Sequence, residues 1–198
     1  MHDKVANMLG ATALALSDSL LASATAAAGL GASGAAALVV LSTDPGLSVT
    51  ELGRRIGLSQ PAAARMVESL ERRGLVERRR TWGSWVAVHS TEQGARAASA
   101  LLRSRGDALR DAVLVLDEDE REQLELLLAK LLRGLYAGPG DAEHLCRLCD
   151  RRACLDGGEI CPVGQADREA RADDQRDGGV PRAGRAERWE RSSRSPRR

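Results

Sequence analysis

The sequence predicts a mainly α protein with a small β-wing: a winged helix-turn-helix flanked by further helices on its N- and C-terminal sides. Three observations predict it. Between Ser48 and Thr91 two short helical patterns meet at Gly57 and are followed by two β-rich runs crowded with arginine. Long Ala- and Leu-rich stretches with helical spacing lie on both sides. Aromatic residues are nearly absent, with three Trp, one Tyr and no Phe, so a single-strand binder that stacks bases on aromatic platforms is excluded. The boundaries divide the chain into support helices (1–43), the winged region (44–91), a second helical region (92–137), a four-cysteine segment (141–164) and a tail (165–198).

Residues 2–28 are rich in Ala and Leu, and Val5, Leu9, Leu16 and Leu20 fall on one helical stripe. Lys4, the apolar run and Ala22-Ser23-Ala24 have the outline of a secretory leader. Ser17, Asp18 and Ser19 interrupt the apolar core that such a leader needs, and no stretch is long enough to span a bilayer. Gly29 and Gly31 break this helix. Ser33 is placed to cap a second one running to Leu41, buried through Leu38 and Leu41, and Asp44-Pro45-Gly46 makes a turn.

Ser48 and Glu51 form a capping box, with Leu52 and Ile56 on the inner face, Arg54 and Arg55 elsewhere, and Gly57 as the stop. Ser59 caps the next helix and Pro61 sits in its first turn. Ala63, Met66 or Val67, and Leu70 face inward, while Gln60, Ala64, Arg65 and Glu68 face outward until Gly74. This geometry puts a helix in the major groove of duplex DNA. Gln60 and Arg65 are residue types suited to the edges of adenine and guanine, and Ala62 or Ala64 to a thymine methyl. Strands are expected over 75–80 and 84–89, turned by Thr81-Trp82-Gly83. Arg78, Arg79 and Arg80 are consecutive and cannot share one face, so at least one points outward to phosphates or a narrow minor groove. The candidate DNA-contacting set is Ser59, Gln60, Pro61, Ala64, Arg65, Arg78, Arg79, Arg80 and Trp82. Charge supports it: the chain is nearly neutral at +1, yet arginines cluster in this region while 107–125 is mainly acidic.

Thr91 caps a long helix from Glu92 to about Leu116, with Leu101, Leu102, Leu109, Val113 and Leu116 as its stripe and Gly94 and Gly106 as weak points. Asp117 and Glu120 open a further helix to about Tyr136, apolar along Leu124, Leu127, Leu128, Leu131 and Leu135, ended by Gly138-Pro139-Gly140. These helices carry more apolar surface than a lone wing needs, so a second copy is the natural cover.

The segment GLSQPAAARMVESLERRGLVERR, followed by a hairpin and then STEQGARA, resembles the MarR (multiple antibiotic resistance regulator) family of bacterial transcriptional regulators over about Val5 to Ala137. The LERRGLVERR join and the TEQG helix start are the most specific parts. The resemblance implies a cytoplasmic homodimer, held by its first and last helices, whose second reader helix enters the major groove and whose wing reaches the minor groove. It implies a repressor acting on a pseudo-palindromic operator and effector pockets between the dimer helices and the reader. Where the family's wing carries an Asp and an Arg near its tip, this chain has Thr81-Trp82-Gly83-Ser84.

Beyond the resemblance lie all four cysteines, Cys146, Cys149, Cys154 and Cys161, spaced C-x2-C-x4-C-x6-C with Gly157-Gly158 inside the last gap. Four thiolates suit a tetrahedral zinc site, an iron–sulfur cluster or a metal-free thiol switch. His144 reads as a surface residue rather than a ligand. The tail from Gln165 on alternates charges and has little apolar content, so it is expected to be disordered; from Pro181 it is net basic. No catalytic constellation is present. A thiol enzyme using Cys146 and Cys149 lacks the strand-led setting such a site needs. The rival to a DNA reader is a metal-bearing adaptor that uses the winged domain for protein contact.

Overall fold

The computed structural model describes residues 3–80 and 86–176. The chain folds as two units, residues up to 117 together with 147–150, and 118–146 together with 151 onward.

In the first unit α1 spans Lys4–Ala28. Asp3 Oδ1 accepts hydrogen bonds from the amides of Val5 and Ala6, a start signal that the Ala-rich pattern obscured. Of the expected inner stripe, Leu16 and Leu20 are half-buried but Val5 and Leu9 are exposed, because only the later part of the helix finds neighbours to pack on. α2 spans Ala32–Thr43. Its N-cap is Gly31, not Ser33; the serine lies inside the first turn and gives no cap bond. Gly34 to Leu41 are all buried, so this helix is apolar all round and forms the centre of the unit.

α3 (Val49–Ile56) and α4 (Gln60–Arg72) form the helix-turn-helix. Ser48 Oγ accepts from the Glu51 amide at 3.1 Å, and Gly57 closes α3 at φ +77°. The second half of the expected capping box is replaced: the Glu51 carboxylate takes Arg54 and Arg55 at 2.7 and 2.8 Å, a stronger charge-assisted pairing than a return to the cap amide. A Cβ on Gly53 would stand 2.7 Å from Ala63 Cβ, so α3 and α4 approach as closely as they do only because position 53 has no side chain.

β1 (Val76–Arg80) pairs antiparallel with β2 (Val86–Ser90), with Arg78 opposite Val88 and Arg80 opposite Val86. β1 begins one residue later than expected and β2 runs one residue further, to Ser90, while the expected start of β2 at Ser84 lies outside the described residues. Leu47 bridges to Val88 and ties the wing back to the turn before α3. α5 (Glu92–Val113) starts at Thr91, whose Oγ1 accepts from the Gly94 amide and donates to the Gly74 carbonyl. Gly94, a weak point by helix propensity alone, is a necessity. A Cβ there would lie 1.9 Å from the Leu75 carbonyl oxygen. Leu38, Leu41, Leu52, Val67, Leu70, Val76, Val88 and Leu101 fill the core.

In the second unit α6 (Glu118–Leu135) buries none of its residues. α7 (Asp141–Leu145), α8 (Arg151–Leu155), a 3-10 turn (Asp156–Gly158) and α9 (Pro162–Arg176) follow. α9 corrects the expectation of disorder from Gln165. Val163 is buried, Tyr136 Oη donates to Asp167 at 2.7 Å, and Arg133 pairs with Glu169 at 2.7 Å. A polar helix too apolar-poor to make a core is thus held by a few contacts to α6 and the residues after it. Residues 177–198 of that tail lie outside the described part.

Candidate nucleic-acid interface

α4 is fixed in phase by its back. Ala63, Val67 and Leu70 are buried in the first unit, which leaves Gln60, Pro61, Ala64, Arg65 and Glu68 exposed. Ser59 occupies the N-cap position in extended conformation, but its side chain makes no cap bond, contrary to expectation. Pro61 in the first turn and the unsatisfied amides there give the helix start a positive end, directed away from the core. Arg65 carries no ion pair among the described residues. An exposed glutamine and, five residues on, an exposed arginine without an ion pair are the two bidentate side-chain types suited to adenine and guanine.

In the wing, Arg78 and Arg80 alternate with Arg79 along β1, as the strand period requires. Arg78 pairs with Glu71 of α4 at 2.5 Å, and Arg79 with Glu77. Arg80 is exposed, with no ion pair among the described residues. The two pairs hold the guanidinium groups at the surface, where a phosphate can exchange for a carboxylate at little cost. Trp82 and the turn lie outside the described residues.

Sequence reasoning missed the brace behind the reader. Arg55 joins Glu51 and Asp44, each at 2.8 Å, and so links α3 to the turn that precedes it. The Glu51, Arg54, Arg55 spacing of three and four residues was the available signal. The Arg54 hydrogen bond, with that of Arg55, holds the Glu51 carboxyl down at about 2, against a smaller opposing effect of partial burial.

Beside the reader, the first unit contains a cavity of about 170 Å³. Val39, Leu101 and Leu102 give it apolar walls, and Arg105, Arg147 and Leu148 also line it. Arg105 Nε is buried with no hydrogen-bond partner among the described residues. Such an orphaned donor costs about 1–3 kcal/mol until an acceptor arrives.

All four cysteines are thiols; Cys146, Cys149 and Cys161 are half-buried and Cys154 is exposed. Among the described residues no three His, Cys, Asp or Glu side chains converge as a metal-ligating group.

A helix with a buried back and a polar front, set beside an arginine-rich hairpin, defines a winged helix-turn-helix fold. Residues 28–81 match the model of the MarR family. Solved structures share the fold. MepR, a transcription regulator of the Staphylococcus aureus multidrug efflux pump MepA, is 17% identical, with 67% of this chain and 99% of that one covered at a TM-score of 0.61. A MarR family protein from Bacillus stearothermophilus is 23% identical, with 67% and 93% covered at 0.61. The Mycobacterium tuberculosis MarR family protein Rv2887, in complex with salicylic acid, is 24% identical, with 65% and 96% covered at 0.52. No curated protein matches the sequence. Among the described residues no helix is long and apolar enough to cross a membrane.

Proposed function

We propose that the protein is a homodimeric repressor that binds a pseudo-palindromic operator and is released from it by a small organic acid. The exposed polar face of α4, with Gln60 and Arg65 set forward by the buried Ala63, Val67 and Leu70, carries this reading. Two recognition helices related by a two-fold axis would meet half-sites about one helical turn apart. Dimerisation is supported by the apolar residues that each unit leaves in water. Val5, Met8 and Leu14 of α1 are exposed, and so are Leu126, Leu127 and Leu131 of α6. The effector is supported by the cavity, whose apolar walls and orphaned Arg105 Nε suit a small anion with an apolar body. The salicylic acid bound by Rv2887 has that chemistry.

The test is selection of duplex DNA by the full chain from a random pool, followed by fluorescence anisotropy on the selected site. Gln60→Ala with Arg65→Ala should abolish the preference for that site over random duplex. If the double variant binds its partners undiminished, the winged domain contacts protein instead, and the adaptor reading replaces this one. Derepression of a reporter on adding salicylate would establish the direction of control.

A further inference from the structure

We propose that Leu148 is the specificity-determining wall of the cavity and limits it to ligands with a single ring. The proposal rests on the reading of this cavity as an effector site and names which ligands that site admits.

The cavity is assembled from stretches far apart in the chain. Leu20 comes from α1, Val39 from α2, and Leu101, Leu102 and Arg105 from α5. Arg105 follows Leu101 by four residues and Leu102 by three, which sets the arginine and the two leucines on one side of the helix. Leu148 supplies the last wall, with Arg147 beside it. It is half-buried and packs against the hydrophobic core of the first unit. Residues 147–150 group with that unit, so all the residues that line the cavity belong to one body. Leu148 also lies beyond Ala137, where the resemblance to the MarR family ends, and so this wall is an addition to the common plan.

Size decides how many rings can enter. An apolar protein cavity of about 150 Å³ holds one benzene ring. At about 170 Å³ this one has room for a single ring and a small polar group, and a second fused ring would run into a wall. Charge decides the polar group. Among the described residues no carboxylate lines the cavity, and the buried Arg105 Nε has no hydrogen-bond partner. A ligand carboxylate supplies the missing acceptor in charge-assisted form.

Of the apolar walls, Leu148 is the one that can be altered without hollowing the core. Val39 and Leu101 are buried side chains of long helices. Leu148 is only partly buried and stands in the turn formed by residues 146–148. Trimming it enlarges the cavity and leaves the packing of α2 on α5 in place.

The experiment uses the full chain and two kinds of probe. Calorimetry compares salicylate with 3-hydroxy-2-naphthoate, the same acid with one more fused ring. Spectra of labelled leucine and valine methyl groups compare benzene with indole, which are neutral and do not need Arg105. The wild type should bind salicylate about tenfold or more tighter than the naphthoate, and benzene in preference to indole. Leu148→Ala should raise the affinity for the naphthoate relative to salicylate by about tenfold, and should admit indole. Leu148→Phe, which narrows the cavity, should weaken salicylate by about tenfold. Arg105→Met should lose both acids and keep benzene. The proposal is overturned if the wild type takes the two-ring probes as readily as the one-ring ones. It is overturned equally if selectivity is the same in the wild type, Leu148→Ala and Leu148→Phe, or if no probe binds the wild type. Should benzene and indole follow the residue at 148 while neither acid binds, the wall stands and the effector reading falls.

Discussion

Arg65 stands at the front of α4 with no acidic partner among the described residues, whereas Arg78 and Arg79 are each held by a glutamate. The three should behave differently on DNA. Arg65→Ala should cost about 1–3 kcal/mol on the selected operator and relax its sequence preference, as read by anisotropy against single-base variants of the site. Arg78→Ala should weaken specific and random duplex alike and lower the slope of log affinity against log salt by about one. Glu51 gives a pH prediction. Its carboxyl is held at about 2, below the ordinary 4.5, so its ion pairs stabilise the fold fully above the ordinary value. That contribution is lost as pH falls from about 4.5 to about 2. Glu51→Gln should therefore lower the melting temperature at neutral pH and make little difference near pH 2. The neutral-pH effect should be under about 1 kcal/mol, because the pair with Arg54 is partly exposed to solvent. Gly94→Ala tests packing. Its Cβ would meet a carbonyl rather than a side chain that can turn aside, and the loss should be about 3 kcal/mol in urea denaturation.

α9 shows why a helix can be hard to read. Its sequence offers one buried residue, Val163, and is otherwise mainly charged. What holds it is partner chemistry supplied from elsewhere in the chain. Asp167 accepts hydrogen bonds from Arg171 and from Tyr136, 31 residues away. Burial first, and then the bond to Asp167, raises the pKa of the Tyr136 hydroxyl above its ordinary value. Tyr136→Phe should lower the stability of the second unit by about 1 kcal/mol and leave the reader unchanged, as followed by hydrogen exchange in α9 and α4. The helix-turn-helix was legible for the opposite reason. Its signals, from Ser48 and Gly57 to Pro61 and the Ala63, Val67, Leu70 repeat, act within a turn or two of themselves. α2 was legible as a helix but not in its start. Gly31 and Ser33 are both acceptable caps, and only the backbone path chooses between them.

Among the described residues α1 and α6 each leave an apolar face uncovered within their own unit. Leu127 and Leu131 are 60% and 45% exposed, far more than a finished core would leave. On the proposed homodimer, replacing both by Glu should convert a particle of twice 21.1 kDa to one of 21.1 kDa in light scattering, with loss of operator binding. The packing of α6 with α9 should survive that change, since their contacts lie within one unit.

The fold class, the order and nature of the winged helix-turn-helix elements, and the outward set of Gln60, Ala64 and Arg65 could all be read along the chain, because caps, stops and helical periodicity are local. Contacts between distant residues decided the rest: that Gly94 must lack a side chain, that Arg78 is held by a glutamate of α4, that α9 folds, and that Leu148 sits on the core beside the cavity. No pattern within a window of the chain encodes a partner that approaches through space from tens of residues away.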